Sequence, residues 1–208
     1  DSVEGLRFVS RNNVHRMGVK LYMTPLNYSG IVEVESIIDG SIINFYDAPR
    51  FKVKHTYMTA NEKLAEDGGY VEVATREKHL HVGCGCRIEA YCDGKQILGN
   101  RMTSVFGEQN IEFGDIHVEE GKEVQIVKYV SMYSERECPT YELHSTIKKE
   151  IEGFVHTGFE NELKLHEEVY HNMWENADIK ITGDDDLNRA VRFNIFHLMS
   201  LSLIHISE

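Results

Sequence analysis

Basic residues, prolines and long apolar runs are all scarce in this chain of 208 residues. With three prolines and 41% hydrophobic residues, the composition excludes a proline-rich disordered chain and is typical of a globular protein. Lys and Arg number 22 against 34 Asp and Glu, which gives a net charge of −12. Because non-specific nucleic-acid affinity comes from Lys and Arg, we expect no nucleic-acid partner. No segment approaches the ~20 apolar residues of a membrane span, so we expect no membrane insertion.

Cysteines are few, and their spacing is not that of a metal site. Cys84, Cys86 and Cys92 fall within one strand-like stretch, while Cys138 stands apart. No second CxxC motif or His/Cys cluster completes a zinc site. We therefore expect reduced thiols in a cytoplasmic protein, with Cys84 and Cys86 serving as small core residues.

Motifs that carry chemistry are also missing. The chain has no nucleophile elbow, no phosphate-cradling glycine loop and no dinucleotide-binding fingerprint. Glu33 and Glu35 are adjacent on the exposed side of a predicted strand, which does not indicate a glycosidase carboxylate pair. His79 and His81 lack a third ligand, so a solvated strand face is favoured over a metal site. We therefore predict no catalytic residue, no metal site and no cofactor.

Residues 1–137 show the pattern of strands and turns. Val32 and Val34 alternate with glutamates, as in a half-buried strand, and residues 80–88 alternate strictly. His79, His81 and Arg87 are predicted to lie on the solvent side of that second strand. Hairpin turns are predicted at residues 39–40 and 93–94, both Asp-Gly. Together these patterns favour an antiparallel β-sandwich.

From about residue 140 the apolar period becomes helical. Leu143, Ile147 and Ile151 mark one helix, and a second runs from Phe159 to Trp174. We predict a helical linker over residues 138–182. Trp174 is expected to pack this linker, although stacking on a sugar is the alternative.

The last predicted helix, residues 184–199, is apolar on all sides and therefore needs neighbours around it. Three aspartates lie at its start, and we interpret them as stabilising the helix through its dipole, not as a cation site. Arg192, Asn194 and His197 are polar residues on this apolar helix. Either they line a sugar pocket or they are satisfied internally by neighbouring groups. They are the candidate substrate-binding residues.

The two ends of the sequence lead to an expectation about its origin. The chain starts at Asp1 with no Met, signal peptide or transit peptide. Residues 201–208, LSLIHISE, resemble the translated transposase adapter used in preparing sequencing libraries, so we expect them to be foreign to the protein. On both grounds we expect an internal fragment of a longer protein.

Short segments in a fixed order resemble glycoside hydrolase family 65, which contains the maltose, trehalose, kojibiose and nigerose phosphorylases. The segments are Arg7–Ser10 (RFVS), Thr24–Gly30 (TPLNYSG), Ile38–Gly40 (IDG), Trp174–Ile179 (WENADI), Gly183–Asp184 and Ala190–Leu198 (AVRFNIFHL). The ordered combination is more specific than any one segment. Asn188 departs from the Gln expected in this family.

The resemblance implies a fold that is mainly β with C-terminal helices. Residues 1–137 would be a partial N-terminal β-sandwich whose earliest strands are missing, residues 138–182 the helical linker, and residues 183–200 the first helix of an α/α barrel. The barrel would perform the chemistry, and the full-length enzyme would be a homodimer.

The activity implied by the resemblance is inverting phosphorolysis. A glutamic acid protonates the glycosidic oxygen while inorganic phosphate attacks the opposite face of an α-glucosidic disaccharide, giving β-glucose 1-phosphate and a sugar. Disaccharide and phosphate would therefore be the partners of the full-length enzyme, whereas this fragment alone would be inactive. Two alternatives stay open: a trehalose hydrolase of the same family, and a free-standing carbohydrate-binding module. Exposed aromatics would favour the module, with the nearest candidates Phe45, Tyr46, Phe51 and Tyr57.

Overall fold

The computed structural model describes residues 1–45, 52–65 and 67–202. Tyr46 and Phe51, two of the candidate sugar-binding aromatics, lie outside the described residues, as do residues 203–208 of the adapter-like tail. The described strands are Ser2–Val9 (β1), Arg16–Thr24 (β2), Gly30–Asp39 (β3), Asn44–Phe45 (β4), Lys52–Val53 (β5), Thr56–Lys63 (β6), Gly69–Thr75 (β7), His81–Cys92 (β8), Lys95–Gln96 (β9), Gly99–Phe106 (β10), Gln109–Val118 (β11) and Val124–Ser134 (β12). A 3-10 turn at Thr140–Glu142 precedes the helices Leu143–Thr157 (α1), Phe159–Ala177 (α2) and Asp185–Ser202 (α3).

Two antiparallel sheets pack face to face. The larger has the order β1-β2-β12-β8-β7-β6, with β9 paired to β8, and the smaller has the order β10-β11-β3. Ile88 and Val124 from the larger sheet share one buried core with Ile116 and Val118 from the smaller. The prediction of a mainly β fold with an antiparallel sandwich and C-terminal helices is therefore confirmed.

Helix α1 covers the outer face of the larger sheet. It can approach closely because Gly83 and Gly85 of β8 carry no side chain. A Cβ atom on Gly85 would lie 2.5 Å from Cγ2 of Ile147 and 3.2 Å from Cδ1 of Ile151. Both isoleucines are almost fully buried. The glycines that alternate with cysteines in β8 thus provide the surface on which α1 packs.

The prediction that one side of residues 79–88 faces solvent holds at His79, which is exposed, and is wrong for the strand that follows. His79 precedes the strand with a φ of 52°, whereas His81 begins it and bonds to Glu72. Beyond them α1 covers one face of β8, and the smaller sheet covers the other face at Cys86, Ile88 and Ala90, whereas Val82 and Cys84 line an open cleft. Arg87 is half-buried and pairs with the buried carboxylate of Glu89. A central strand with cover on both sides does not show the alternation of a half-buried one.

The two predicted hairpins differ in outcome. Asp93 and Gly94 have φ values of 49° and 73° and join β8 to β9, as an Asp-Gly turn should. Asp39 and Gly40 do not form a hairpin, because β3 pairs instead with β11. There Asp39 accepts hydrogen bonds from the backbone and hydroxyl of Ser41, and the Gly40 amide donates to the carbonyl of Glu108.

The chain forms two compact units, residues 1–163 and residues 164–208. The division falls inside α2. The first unit contains the sandwich, α1 and the first turn of α2, where Phe159 packs on Tyr129 and Phe154. The second contains the rest of α2 and α3. The domain boundaries expected at residues 137 and 182 stay predictions.

Helix α3 begins and ends close to its predicted bounds. Asp184 caps it by accepting the Leu187 amide at 2.9 Å, and such a cap stabilises a helix by about 1 kcal/mol. Along the helix, Leu187, Phe193 and Leu198 are at least half exposed. Within the described residues this apolar helix therefore keeps much of its apolar surface in solvent.

Candidate functional site

The three predicted substrate-binding residues lie on α3 but have different partners. Arg192 Nε is 3.1 Å from Asp178 Oδ1, and its guanidinium carbon is 5.2 Å from the centre of the Trp174 ring. Asn194 donates to the carbonyl of Ala190 in its own helix. The structure therefore does not gather Arg192 and Asn194 around one set of partners, and their role toward sugar stays a prediction.

His197, the third candidate, contacts aromatic residues of its own helix. Its ring centre lies 4.3 Å from that of Phe193, edge to face, and 5.5 Å from that of Phe196. All three candidate side chains are exposed. An exposed imidazole beside aromatic rings could contact a ligand or a further helix, and its sugar-binding role likewise stays a prediction.

An open groove of about 430 Å³ runs between α2 and α3. Its lining is mostly aromatic: His166, Glu167, Tyr170, His171, Trp174 and Phe196. The Tyr170 and Phe196 rings stack with their centres 6.0 Å apart. Ligand pockets are typically lined by aromatic side chains with a few polar groups, so this groove is the candidate site within the helical unit.

Two side chains of α3 bind the segment that precedes it through a hydrogen bond and an ion pair. Asn188 Oδ1 accepts the Ile181 amide at 3.1 Å, and one turn later Arg192 pairs with Asp178. Asn188 is the position at which the family pattern has Gln. The shorter amide here has a defined role, since it satisfies a backbone donor in the connection between α2 and α3.

A buried ion network joins the β1–β2 hairpin to α1 and the start of α2. Glu162 is fully buried and accepts hydrogen bonds from Ser10 Oγ at 2.6 Å and Arg16 Nη1 at 2.7 Å. Arg16 Nε also donates to Glu150 Oε1 at 2.7 Å, and Asn13 Nδ2 donates to the same oxygen at 2.9 Å. We call these five residues the Arg16 network.

The electrostatics of the Arg16 network keep Glu162 charged. Burial opposes ionisation of Glu162, but hydrogen bonds from Ser10, Arg16 and Asn12 outweigh it and lower the pKa of the carboxyl. A carboxylate held by three protein donors and closed to solvent is a poor proton donor to a substrate. The network is therefore suited to fixing the corner between α1 and α2, not to catalysis.

A second buried network satisfies the backbone hydrogen bonds of β8 at Ile88, just past the point where its pairing with β7 ends. β7 pairs with β8 only as far as the Gly69↔Cys86 position, so Ile88 has no strand neighbour on that side. Glu112 Oε2 accepts the Ile88 amide at 3.0 Å, and Arg101 Nη2 donates to the Ile88 carbonyl at 2.8 Å. Side chains of the smaller sheet thus replace the missing strand.

Glu112 has one property of a general acid, because burial raises its pKa. Enzymes that cleave glycosidic bonds use such a carboxyl to protonate the leaving oxygen. Glu112, however, is 1% exposed, lies between the two sheets and is hydrogen-bonded to Arg101 at 3.0 Å. No sugar can reach it without opening the sandwich.

A third cluster surrounds Glu72 near the start of α1. Glu72 accepts from Tyr70 Oη at 2.7 Å and Thr59 Oγ1 at 2.9 Å, and it lies 2.6 Å from His81 Nδ1. Burial opposes its ionisation, yet hydrogen bonds from Tyr70, His81 and Thr59 prevail and lower the pKa of Glu72. Like Glu162, it is committed to protein partners.

Other chemical possibilities are limited in the described part of the chain. No group of three or more His, Cys, Asp or Glu residues is placed there to hold a metal ion. Glu33 and Glu35 are exposed on the outer face of β3, as predicted. The four cysteines are free thiols, and burial raises the pKa of Cys84 to about 12, so little of it is thiolate near neutral pH. Across the described residues, no helix is long and apolar enough to cross a membrane.

Sequence reasoning missed the Arg16 network. The available signal was Glu162, which follows Phe159 by three residues and precedes Leu163 on the buried stripe of α2. A carboxylate at a core-facing helix position requires a cationic partner. Nothing in the sequence indicated that the partner was Arg16, about 150 positions away.

Several curated proteins are similar in sequence to nearly the whole chain. Kojibiose phosphorylase of Thermoanaerobacter brockii is 40% identical over 202 residues, which cover 95% of this chain and 26% of that protein. The α,α-trehalose phosphorylase of the same organism is 28% identical over 199 residues, or 93% of this chain and 25% of that protein. This chain therefore spans about a quarter of the length of these curated relatives.

A solved structure shares the fold. It is assigned as a kojibiose phosphorylase from the human microbiome, and it superposes with a TM-score of 0.77 at 12% identity over 94% of this chain and 24% of the other. The pattern of the family 65 N-terminal domain of glycosyl hydrolases matches residues 2–173. The chain therefore belongs to glycosyl hydrolase family 65, and its matched residues are the N-terminal domain of that family.

Proposed function

We propose that this chain is the N-terminal, non-catalytic part of a disaccharide phosphorylase. The observation that carries the proposal is 40% identity to a kojibiose phosphorylase across 95% of the chain. In the proposed reaction, inorganic phosphate cleaves an α-glucosidic disaccharide with inversion and releases β-glucose 1-phosphate and a free sugar. Kojibiose is the first substrate to test, because a second relative, 35% identical, also carries that name.

The described carboxylates support a non-catalytic role. Glu72, Glu112 and Glu162 are all buried and committed to protein donors. Inverting cleavage needs an accessible acid on one side of the bond and the nucleophile on the other. We place both the acid and the phosphate-binding groups outside residues 1–208, in the remaining three quarters of a relative-sized enzyme. Phosphate is then a co-substrate, and no cofactor is required.

The helical unit supports the proposed connection to a catalytic domain. Phe193 and Leu198 expose apolar surface on α3, and the groove beside it is aromatic. In the proposal α3 is the first helix of an α/α barrel, and further barrel helices cover this surface. Arg192, Asn194 and His197 would then face the sugar site or the neighbouring helices. The proposed enzyme is a cytoplasmic homodimer.

The test is an assay of the full-length enzyme on kojibiose, trehalose, nigerose and maltose, with and without inorganic phosphate. Proton NMR during the first turnovers identifies the product and its anomeric form. Release of β-glucose 1-phosphate that depends on phosphate supports the proposal. Glucose released at equal rates with and without phosphate would instead establish a hydrolase.

The purified fragment provides the complementary measurement. Residues 1–199 should release no glucose 1-phosphate above the level without protein, because the proposed acid is absent. Detectable phosphate-dependent cleavage by the fragment would show that a catalytic group lies within it and would refute the non-catalytic role.

A further inference from the structure

An open pocket of about 360 Å³ lies at the turn that joins β7 to β8. It combines an imidazole, a hydroxyl, a carboxylate, a cation and one apolar side chain, from His55, Thr75, Glu77, Lys78 and Leu80. Sites for small molecules typically bring together a few polar groups of this kind in one concave place. None of the five residues belongs to the buried networks described above. We call this site the β7–β8 pocket.

Backbone hydrogen bonds give the pocket a fixed shape. Thr75 accepts the His79 amide with its carbonyl and the Leu80 amide with its hydroxyl oxygen, both at 2.9 Å. The Arg76 amide donates to the His55 carbonyl at 2.8 Å, which joins the turn to the residue that precedes β6. The two chain segments that line the pocket are therefore held together in the absence of a ligand. A site formed in advance loses less entropy on binding.

His79 has a backbone conformation that most residues avoid. Its φ is 52°, in the left-handed region, which is uncommon for residues other than glycine. Its ring contacts Tyr57, with Nδ1 3.1 Å from the Tyr57 Oη and the ring centres 6.2 Å apart, edge to face. Conformations of this kind persist where surrounding contacts maintain them, and they cluster at functional sites. The turn that results places Glu77 and Lys78 on the same pocket.

The turn carries unpaired positive charge on an acidic protein. Arg76 and Lys78 are exposed, and within the described residues neither forms an ion pair. Lys54, by contrast, is paired with Glu108. The net charge of the whole chain is −12, so two cations without carboxylate partners are a local exception. Arg and Lys are the side chains that bind phosphate groups, so their presence here favours a phosphate-bearing ligand.

Glu77 restricts which phosphate compound fits. Its carboxylate lines the same pocket as Lys78 and would repel a bare anion such as inorganic phosphate. A ligand that carries hydroxyl groups beside its phosphate offsets this repulsion, because the hydroxyls donate hydrogen bonds to the carboxylate. The Thr75 hydroxyl and the His55 ring offer further hydrogen bonds to such a ligand. Hydroxyl groups next to a phosphate are the defining chemistry of a sugar phosphate.

From these observations we propose that the β7–β8 pocket binds a phosphorylated sugar. Lys78 holds the phosphate group, and Arg76 in the same turn adds to the attraction. Glu77 accepts hydrogen bonds from the sugar hydroxyls. The proposed catalytic groups lie outside residues 1–208, so this is a second site and not the place of the reaction. The product β-glucose 1-phosphate belongs to the same class of ligand, and only that connection rests on the proposed function.

Isothermal titration calorimetry of the 208-residue chain tests the proposal without using activity. The probes are glucose 1-phosphate, glucose 6-phosphate, inorganic phosphate and glucose, all at one ionic strength because salt screens exposed charges. We expect at least one sugar phosphate to bind about tenfold or more tightly than inorganic phosphate and glucose, since only it engages both Lys78 and Glu77. Amide NMR shifts at residues 75–80 should place the bound compound in the pocket.

Substitutions at exposed positions separate the roles of the two charged groups. Lys78→Gln should weaken binding of the sugar phosphate about tenfold or more, because the cation that holds the phosphate is lost. Lys149→Gln, which replaces an exposed lysine of α1, is the matched control and should leave the affinity unchanged. Glu77→Gln should reduce the preference for sugar phosphate over inorganic phosphate severalfold, because the repulsion of the bare anion is removed. Circular dichroism checks that each variant is folded.

Several results would overturn the proposal. Failure of both sugar phosphates to bind, or equal affinities of Lys78→Gln and Lys149→Gln, would show that the pocket is not such a site. Inorganic phosphate that binds as tightly as the sugar phosphates would indicate a site for simple anions and refute the role of Glu77. NMR shifts confined to residues outside the turn would place the ligand elsewhere. Because binding does not depend on turnover, an inactive full-length enzyme would leave this test unaffected.

Discussion

Replacement of Arg16 by Met should destabilise the sandwich more than any matched change at its surface. Arg16 is the only cation that contacts Glu162 in the described network, and Glu162 is fully buried. Removing one partner of a buried pair costs about 3–5 kcal/mol, because the remaining charge loses both its partner and its solvent. Domains of this size unfold with about 5–15 kcal/mol in total. The loss should therefore be about a fifth of the stability or more.

Lys20→Met is the matched control. Lys20 also lies on β2 and pairs with a glutamate at the start of α2, but Glu160 is 63% exposed. Because that carboxylate stays hydrated after the change, we expect a cost below about 1 kcal/mol. Urea denaturation followed by far-ultraviolet circular dichroism measures both variants. Equal losses for Arg16→Met and Lys20→Met would refute the reasoning, since burial of the partner would then not matter.

The pH dependence provides an independent check. Because the pKa of Glu162 is lowered in the folded state, its contribution to stability is complete above its unfolded pKa of about 4.3 and is lost as the pH falls through the folded value. In the Arg16→Met variant the penalty of a buried, unpaired carboxylate is relieved by protonation. The stability difference between wild type and variant should therefore shrink as the pH falls from 7 to 4. A constant difference would contradict the assignment to Glu162.

Three further changes test packing, capping and thiol chemistry. Gly85→Ala should lower the free energy of unfolding by about 1–3 kcal/mol, because the new methyl group would lie 2.5 Å from Ile147. Gly30→Ala, with open space around it, is the control and should be close to neutral in the same urea denaturation. Equal effects of the two changes would disprove the tight helix contact. Asp184→Ala should lower the helicity of α3 and cost the helical unit about 1 kcal/mol, and unchanged circular dichroism would show that the cap is dispensable. With a pKa of about 12, Cys84 should have at least ~1000-fold less thiolate at pH 8 than an ordinary cysteine, so rapid alkylation by iodoacetamide would contradict the raised pKa.

The strands that face solvent on one side were predictable from the sequence. In β3 the valines are half-buried and the glutamates exposed, as their alternation indicates. The Asp93-Gly94 turn was predictable because an Asp-Gly pair suits positive φ at both positions. In these cases the local pattern and the final surroundings agree.

Strands covered on both sides were not predictable in the same way. The face of β8 that was assigned to solvent carries Gly83 and Gly85, which are buried beneath α1. Glycine has no side chain that could mark a position as apolar, so the sequence pattern does not reveal a helix that packs on it. The Asp39-Gly40 turn failed for a related reason, since pairing with β11, some 70 residues away, overrides the local preference.

The candidate site was predicted least well. The apolar character of α3 was evident from its sequence, and the family followed from ordered motifs near both ends of the chain. The partners of Arg192, however, depend on the path of residues 178–184, which the sequence pattern does not determine. The buried networks of Arg16 and Arg101 likewise join residues far apart in sequence. Ionic contacts of this kind require the folded topology before they can be identified.

The most direct test of the proposed function is incubation of the full-length enzyme with kojibiose, with inorganic phosphate as the only variable. The account predicts β-glucose 1-phosphate and glucose in equal amounts when phosphate is present, and neither product when it is absent. Cleavage at the same rate without phosphate, or no cleavage of kojibiose or any other α-glucosidic disaccharide with phosphate present, would contradict it.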